Sequence, residues 1–282
     1  MNATLQAGIP IRIDSGQLPV YRLLCGNPGQ MTGPGTNSYL LGRQRMALVD
    51  PGPALPEHRE AILSALAGRE LAWIFVTHTH GDHSPGAAEL QRLTGAELIG
   101  LPAPAAAHQD DSFVPDRSYR HEERIRCDDF VMQLIHTPGH VSNHFCFLLE
   151  EERLLFTGDH VLQGTTPVIL PPDGDMADYL DSLEKLRLLD LRALAPGHGT
   201  VIDTPEQSIS ALIRHRLRRE SKVLRCMGEL GASPIEALCR AVYDDVPEQL
   251  LGWAQKTLLA HLIKLEKESR VRQERGLWAP VA

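Results

Sequence analysis

The chain has 282 residues, of which 43% are apolar, and this is enough to bury one large core or a large and a small one. Its five cysteines form no CxxC pair or cluster, which argues against a disulfide framework or a zinc ribbon and favours a reducing compartment. The net charge of −8 is unevenly distributed. Residues 1–205 contain 15 Lys and Arg and 26 Asp and Glu, whereas residues 206–282 contain 13 Lys and Arg and 10 Asp and Glu.

The first residues and the hydropathy of the chain predict its location. The opening stretch MNATLQAGIPIRID has neither the basic nor the apolar region of a signal peptide. No apolar run approaches the ~18 residues that a membrane span requires. We therefore expect a cytoplasmic protein without a membrane partner.

Up to about residue 204, short strand-like runs alternate with helical candidates. The apolar runs, broken by Gly, Pro and Asp, are 38–41, 46–50, 71–76, 131–135, 144–149, 153–158 and 193–195. Helical periodicity covers 55–68, 84–95 and 176–189. The stretch 144–159 resembles a hairpin with a charged tip at residues 150–152.

The sequence pattern changes at residue 205, where long stretches with helical periodicity begin. Three helices are predicted, at about 205–230, 233–243 and 247–268, with Pro205 in a first helical turn. The change coincides with the shift from acidic to basic charge. We predict a first domain of residues 1–204 and a second of residues 205–282.

Four turns that contain histidine each follow an apolar run. The first is 77-THTHGDH-83, directly after 71-LAWIFV-76, and the others are 136-HTPGH-140, 158-GDH-160 and 196-PGHG-199. Loops that leave the same edge of a layered sheet can converge on one site. We therefore expect these turns to build a single metal centre.

The spacing within the turns predicts two metal ions. His78 and His80 are alternate side chains of an extended segment and can share one metal, while Asp82 and His83 reach a second. His140 and His198 would add one ligand to each metal, and Asp159 would bridge the two. The predicted ligands are therefore His78, His80, Asp82, His83, His140, Asp159 and His198.

A single histidine in a turn is usually solvated or hydrogen-bonded, so the prediction depends on the whole set. His136 and His160 are interpreted as residues that orient ligands or serve the structure. His108, His121 and His144 have no motif around them and are assigned no role.

The ordered motifs, with the early turn 47-ALVDPG-52, resemble the metallo-β-lactamase superfamily of binuclear hydrolases. The resemblance implies that His78, His80 and His140 hold the first metal. It also implies that Asp82, His83 and His198 hold the second metal and that Asp159 bridges the two metals. Asp50 resembles the superfamily's buried aspartate, which supports the site without binding metal.

Three further stretches narrow the resemblance to the beta-lactamase-like protein 2 group. They are 33-GPGTNSYLLG-42, 163-QGTTPVILPPDGDMADYLDSL-183 and the helical tail that ends in 261-HLIKLEKESRVRQ-273. The group implies an α/β fold, an αββα sandwich of two mixed sheets, with a small winged-helix-like C-terminal domain.

The predicted function is a binuclear metal-dependent hydrolase, in which a hydroxide that bridges the metals attacks a small-molecule thioester, ester or lactone. Asp82 and Asp159 are the predicted catalytic residues, Asp82 by orienting the water or moving its proton and Asp159 as the bridge. The expected cofactor is two divalent ions. Zinc suits His and Asp ligands best, and iron and manganese accept the same set.

Two other functions stay open. The group includes endoribonucleases that cleave single-stranded RNA, and the run 214-RHRLRRESKVLR-225 is basic, although such a run is usually a solvated helix face. The acidic first region suits phosphates poorly. A third hypothesis is a non-catalytic module that binds nucleic acid or protein through the second domain. The complete ligand set favours an enzyme.

Overall fold

The computed structural model describes residues 6–13, 16–105 and 109–281, so His108 lies outside the described residues. The chain forms two compact units. The sheet unit comprises residues 1–137, 143–167 and 189–205, and the helical unit comprises 138–142, 168–188 and 206–282. The division after residue 204 stays a prediction, and the helix predicted at 176–189 falls in the helical unit.

Within the described ranges, the sheet unit contains two mixed sheets. The first consists, in spatial order, of β1 (Ile11–Arg12), β2 (Val20–Leu24), β3 (Asn37–Gly42), β4 (Arg45–Val49), β5 (Glu70–Phe75) and β6 (Glu97–Ile99). The pairs β4–β5 and β5–β6 are parallel, and the other pairs are antiparallel. The helices α1 (Pro56–Leu66) and α2 (Ala87–Thr94) follow β4 and β5 as crossover connections.

In the second sheet, each strand lies beside the next strand along the chain. Its strands are β7 (Arg124–Arg126), β8 (Val131–His136), β9 (Phe145–Leu149), β10 (Leu154–Gly158) and β11 (Ala193–Pro196). Only β10 and β11 pair in parallel among these described strands. The predicted hairpin at 144–159 forms β9 and β10.

Alternation along the strands separates two apolar layers. In β5, Trp73 and Phe75 pack into the core between the sheets, where the Phe75 and Phe147 rings lie 5.2 Å apart. Ile74 points to the other face and packs with Ile62 of α1 and Leu90 of α2. Because both faces are covered, the strands read as almost continuous apolar runs.

Strand direction brings the histidine turns to one edge within each sheet. The parallel strands β4 and β5 end at Val49 and Phe75, so Asp50 and the 77–83 turn leave the same edge. The parallel strands β10 and β11 likewise end next to the 158–160 and 196–199 turns. The carboxyl ends of parallel strands are a common position for ligands in α/β proteins.

The helical unit is built from helices and one hairpin. Its elements are α3 (Met176–Arg187), α4 (Pro205–Leu230), α5 (Ile235–Val242), α6 (Leu251–Lys267), β12 (Val271–Glu274) and β13 (Leu277–Pro280). The α4 helix begins and ends at the predicted residues. The strand-like runs did not include β12, because three of its four residues are exposed and no apolar alternation exists to read.

A compact core and a buried ion network hold this unit together. Met227, Leu238, Leu258 and Trp278 belong to one apolar cluster. Buried Glu220 accepts hydrogen bonds from Lys264 at 2.8 Å and from Arg270 at 2.9 Å. None of the helices in the described part of the chain is both long and apolar enough to cross a membrane.

Candidate metal centre

Asp50, at the end of β4, organises the turn that follows β5. Its Oδ1 accepts a hydrogen bond from the Thr77 N–H at 2.7 Å, and its Oδ2 accepts one from Thr77 Oγ1 at 2.8 Å. The same Oδ2 lies 2.9 Å from His83 Nδ1. A carboxylate on one ring nitrogen fixes the orientation of an imidazole, so the other nitrogen, His83 Nε2, is directed to the cluster.

His78 and His80 lie side by side in this turn. His78 Nε2 is 2.9 Å from His80 Nδ1, and the two rings are nearly perpendicular. Burial, together with the positive charges of His83 and His80, holds the pKa of His78 well below its usual value. The His78 ring is therefore neutral at physiological pH, which is the form that binds metals.

Four donor atoms from three turns converge beside this pair. They are His83 Nε2, His198 Nε2, Asp82 Oδ2 and Asp159 Oδ1. Asp82 Oδ2 lies 3.2 Å from His198 Nε2 and 3.5 Å from His83 Nε2. Asp159 Oδ1 lies 3.4 Å from both imidazole nitrogens.

The spacing of the four donors fits a divalent cation. Zinc bonds to His nitrogen and carboxylate oxygen of about 2.0–2.1 Å put two ligands of a tetrahedral site about 3.3 Å apart. The four measured distances bracket that value. His83 Nε2 is moreover buried without a hydrogen-bond partner among the described residues. A polar atom left in this way costs free energy unless a ligand satisfies it.

Asp159 takes part in a second group of donors. One atom each from Asp159, His78 and His83 lie within 4.8 Å of one another. A further group of this kind contains Asp82, His83 and His198. Asp159 therefore lies beside donors that the sequence assigns to different metals.

The pKa values of Asp82 and His198 show that this cluster stabilises positive charge. Burial alone would raise the pKa of Asp82, but the charge of His83 and the hydrogen bond from His198 lower it to about 2. Burial would lower the pKa of His198, but the charge of Asp159 and the contacts with both carboxylates raise it to about 9. Protons on the imidazoles thus balance the carboxylates, and a metal ion would displace them.

Two glycines let the turns approach this closely. A Cβ on Gly197 would lie 2.7 Å from Asp159 Oδ1 and 2.7 Å from His83 Cε1. Gly158 has a φ of +46°, and a Cβ there would lie 2.6 Å from Thr77 Oγ1. The glycines of 158-GDH-160 and 196-PGHG-199 are therefore required by the packing of the ligand turns.

The loop between β2 and β3 holds two members of the cluster. Asn27 Oδ1 accepts from the Thr36 N–H at 2.9 Å, and Asn27 Nδ2 donates to Thr36 Oγ1 at 3.0 Å. Because Thr36 Oγ1 already accepts that bond, its single proton is available for Asp82 Oδ2, 3.4 Å away. The neighbouring carbonyl of Gly35 lies 3.2 Å from Nδ1 of His198.

His140 belongs to the helical unit, unlike the six other predicted ligands. It lies in the turn after β8, and its Nδ1 is 2.7 Å from the Val168 carbonyl oxygen. This contact orients the ring through the nitrogen opposite to Nε2. The assignment of His140 to the metal of His78 and His80 stays a prediction.

The remaining histidines divide into buried and exposed ones. The His144 ring lies 5.1 Å from that of His78 and 5.6 Å from that of His160, which is also buried. The sequence assigned no role to His144, because it has no motif around it. His121 is exposed, and its Nδ1 accepts from the His136 N–H at 3.2 Å.

Buried His58 has no motif around it in the sequence. Its Nε2 lies 2.8 Å from Ser38 Oγ, which donates to the Asp50 carbonyl. His58 thus supports the residue that orients His83. The sequence likewise gave no sign of a role for Thr36, because only its contact with Asp82 distinguishes it from other threonines.

Family models match most of the chain. Residues 31–198 match the model described as the metallo-beta-lactamase superfamily, and residues 235–278 match the beta-lactamase associated winged helix domain. The two matches cover the regions that carry the histidine turns and the C-terminal hairpin.

Curated relatives align over nearly the whole chain. The beta-lactamase-like protein 2 homolog of Caenorhabditis elegans is 33% identical over 253 residues, covering 87% of this chain and 82% of the relative. The atrochrysone carboxyl ACP thioesterase of Aspergillus fumigatus is 34% identical over 243 residues, covering 81% of this chain and 74% of the relative.

A solved structure shares the fold. The beta-lactamase domain protein from Burkholderia ambifaria superposes with a TM-score of 0.83 at 20% identity, covering 99% of this chain and 96% of that one. The predicted family and fold class, including the C-terminal winged helix, are confirmed. The chain is a metal-dependent hydrolase, and it belongs to the metallo-beta-lactamase superfamily.

Proposed function

We propose that the chain hydrolyses thioesters, and related esters or lactones, with two divalent metal ions. The observation that carries the proposal is the set of four donors, two imidazole nitrogens and two carboxylate oxygens, at distances of 3.2 to 3.5 Å. Three of the four distances exceed the usual range of N–H···O hydrogen bonds, and all four match the edges of a metal site.

The ligands divide between two positions in this proposal. His78, His80 and His140 hold one ion, and Asp82, His83 and His198 hold the other. Asp159 contributes to both, which its place beside His78, His83 and His198 supports. When bound, such a pair of ions activates water and polarises the oxygen of the bond under attack.

The residues of the chain orient the ligands and the water. The pKa of Asp82 is lowered to about 2, so its carboxylate is ionised and can both hold a metal ion and orient the attacking water. Thr36 donates to Oδ2 and restricts the rotation of that carboxylate. Asp50 and Gly35 set the ring orientations of His83 and His198.

The choice of a carbonyl substrate rests on a relative and on charge. The Aspergillus fumigatus relative carries the name of a thioesterase that acts on an acyl carrier protein. Residues 1–205 carry 26 acidic against 15 basic residues, which disfavours a polyphosphate substrate. Cleavage of single-stranded RNA stays the competing prediction.

The test is a substrate panel with metal-loaded protein. Acyl thioesters of coenzyme A and of N-acetylcysteamine, an aryl ester, a lactone, a phosphodiester and single-stranded RNA are offered under the same conditions. We expect thioester hydrolysis that disappears with a chelator and returns with zinc or manganese. Cleavage of RNA or of the phosphodiester without thioester hydrolysis would contradict the proposal.

A further inference from the structure

One exposed face of α4 carries a row of arginines. Arg214, Arg218 and Arg225, which we call the arginine stripe, are exposed and lie at i, i+4 and i+11 with Ser221 between the last two. Residues at this spacing lie on one side of a helix. At 1.5 Å per residue the stripe is about 16 Å long.

The stripe lies on an open, shallow face of α4, and all six residues that form this face belong to that helix. Leu217, Ser221 and Lys222 lie beside the arginines. Leu217 is 45% exposed, which is high for a large apolar side chain. The face therefore combines guanidinium groups with an apolar position near its centre.

The stripe has no ion-pair partner among the described residues, in contrast to its neighbours on the same helix. Arg219 forms a pair with Asp245 at 2.9 Å and lies over the Tyr243 ring, and Lys222 pairs with Asp244. Like charges four residues apart destabilise a helix. The repulsion between Arg214 and Arg218 consequently costs helix stability, and no ion pair of the stripe with another described residue offsets it.

We propose that the arginine stripe is a docking surface for an acidic amphipathic helix of a partner protein. Carboxylates at i, i+4 and i+11 on such a helix match the spacing of the three arginines, because both follow the same helical repeat. An apolar residue between them covers Leu217 and removes its exposed surface from water.

The chemistry of this face favours a protein over a nucleic acid. None of the described residues that form it is aromatic, whereas proteins that bind single strands stack bases on aromatic rings. Asp244 and Asp245 border Lys222 and would repel a continuous row of phosphates. An acidic helix presents its charges on one face only, so it can avoid these two carboxylates.

The test uses three labelled probes and the full-length protein. The probes are an acidic amphipathic helical peptide of about 16 residues, its counterpart with Lys in place of Glu, and a single-stranded uridine oligonucleotide. Binding is followed by fluorescence anisotropy at about 50 mM and about 300 mM salt, since exposed ion pairs are screened. We expect saturable binding of the acidic peptide only, weaker at the higher salt.

Two triple variants with the same change in charge separate the stripe from overall charge. Arg214→Ala, Arg218→Ala and Arg225→Ala together should weaken peptide binding about tenfold, because each exposed pair contributes a fraction of 1 kcal/mol. The control combines Arg120→Ala, Lys185→Ala and Arg240→Ala, at residues that are exposed and have no ion-pair partner among those described. Its affinity should change by less than about twofold.

Several outcomes would overturn the proposal. They are an equal loss in both variants, no saturable binding of the acidic peptide, and preferential binding of the oligonucleotide that the stripe variant loses. Thermal unfolding of both variants monitors their folding. The stripe variant should be at least as stable as the parent, because the repulsion among its arginines is removed.

Discussion

Two buried clusters of charged groups among the described residues differ in one respect. In the helical unit, Glu220 is satisfied by Lys264 and Arg270 at hydrogen-bond distances of 2.8 and 2.9 Å. In the sheet unit, Asp159 faces two imidazoles at 3.4 Å, and His83 Nε2 has no hydrogen-bond partner among the described residues. The groups of the first cluster satisfy one another, so we call it the closed cluster. The second, which we call the open cluster, would be completed by a cation.

The difference teaches how a structural ion network can be distinguished from a candidate metal site. In a cluster that stabilises the fold, the polar groups bind to one another, because an unsatisfied buried polar group costs free energy. In a cluster that binds a metal, the donor atoms lie about as far apart as two ligands of a tetrahedral metal site. Neighbouring residues hold each donor side chain in its orientation. Asp50, Thr36 and Gly35 supply that fixation here.

Asp159→Ala should break the open cluster most completely. The loss of a ligand that serves both positions should reduce the affinity for both metals by more than the 10- to 100-fold that loss of an orienting residue costs. Elemental analysis after dialysis measures the metal content. Asp190→Ala, at an exposed surface carboxylate, is the control and should keep its metal. An Asp159→Ala protein that keeps two equivalents would disprove the bridge.

Glu220→Gln should break the closed cluster without touching the open one. It leaves the half-buried Lys264 with only Glu268 as an ion-pair partner, and we expect a loss of about 2 kcal/mol in the free energy of unfolding. Urea denaturation measures that loss, and elemental analysis should find unchanged metal content. A stability within about 0.5 kcal/mol of the parent would show that the network is not structural.

A fall in pH should destabilise the fold through His58, which supports Asp50 beside the open cluster. Burial lowers the pKa of His58 from 6.5 to about 4, so between these values the unfolded chain binds the proton that the folded chain rejects. The contribution of His58 to stability is full above pH 6.5 and is lost as the pH falls to about 4. The shift corresponds to about 3 kcal/mol as an upper value.

The measurement compares the parent with His58→Gln by urea denaturation across this range. The stability difference between the two proteins should shrink steadily as the pH falls through the window. A difference that is constant from pH 6.5 to about 4 would contradict the lowered pKa.

Thr36→Val should have the smallest effect and the most specific one. It removes the proton donor to Asp82 while keeping the shape of the side chain, and the affinity for one of two metal equivalents should fall about 10- to 100-fold. Metal titration resolves the two equivalents. Thr36→Ser keeps the hydroxyl and should restore the affinity. Equal weakening in both variants would point to packing rather than to the hydrogen bond.

The sequence by itself determined the local elements and the candidate ligands. Helix α4 begins at Pro205 and ends at Leu230 as the periodicity predicts, because the spacing of apolar residues is a local property. The turn 77-THTHGDH-83 follows a buried strand for the same reason. Six of the seven predicted ligands lie in the sheet unit, and their grouping into two metal positions stays a prediction.

Only the tertiary structure decided which polar groups support the site and which basic residues are paired. Asp50 is separated from His83 by 33 residues and Thr36 from Asp82 by 46, so no local pattern links them. Arg218 and Arg219 are neighbours in one basic run, but only Arg219 is near Asp245, which another helix end supplies. Such contacts depend on how distant segments fold together, and periodicity carries no information about them.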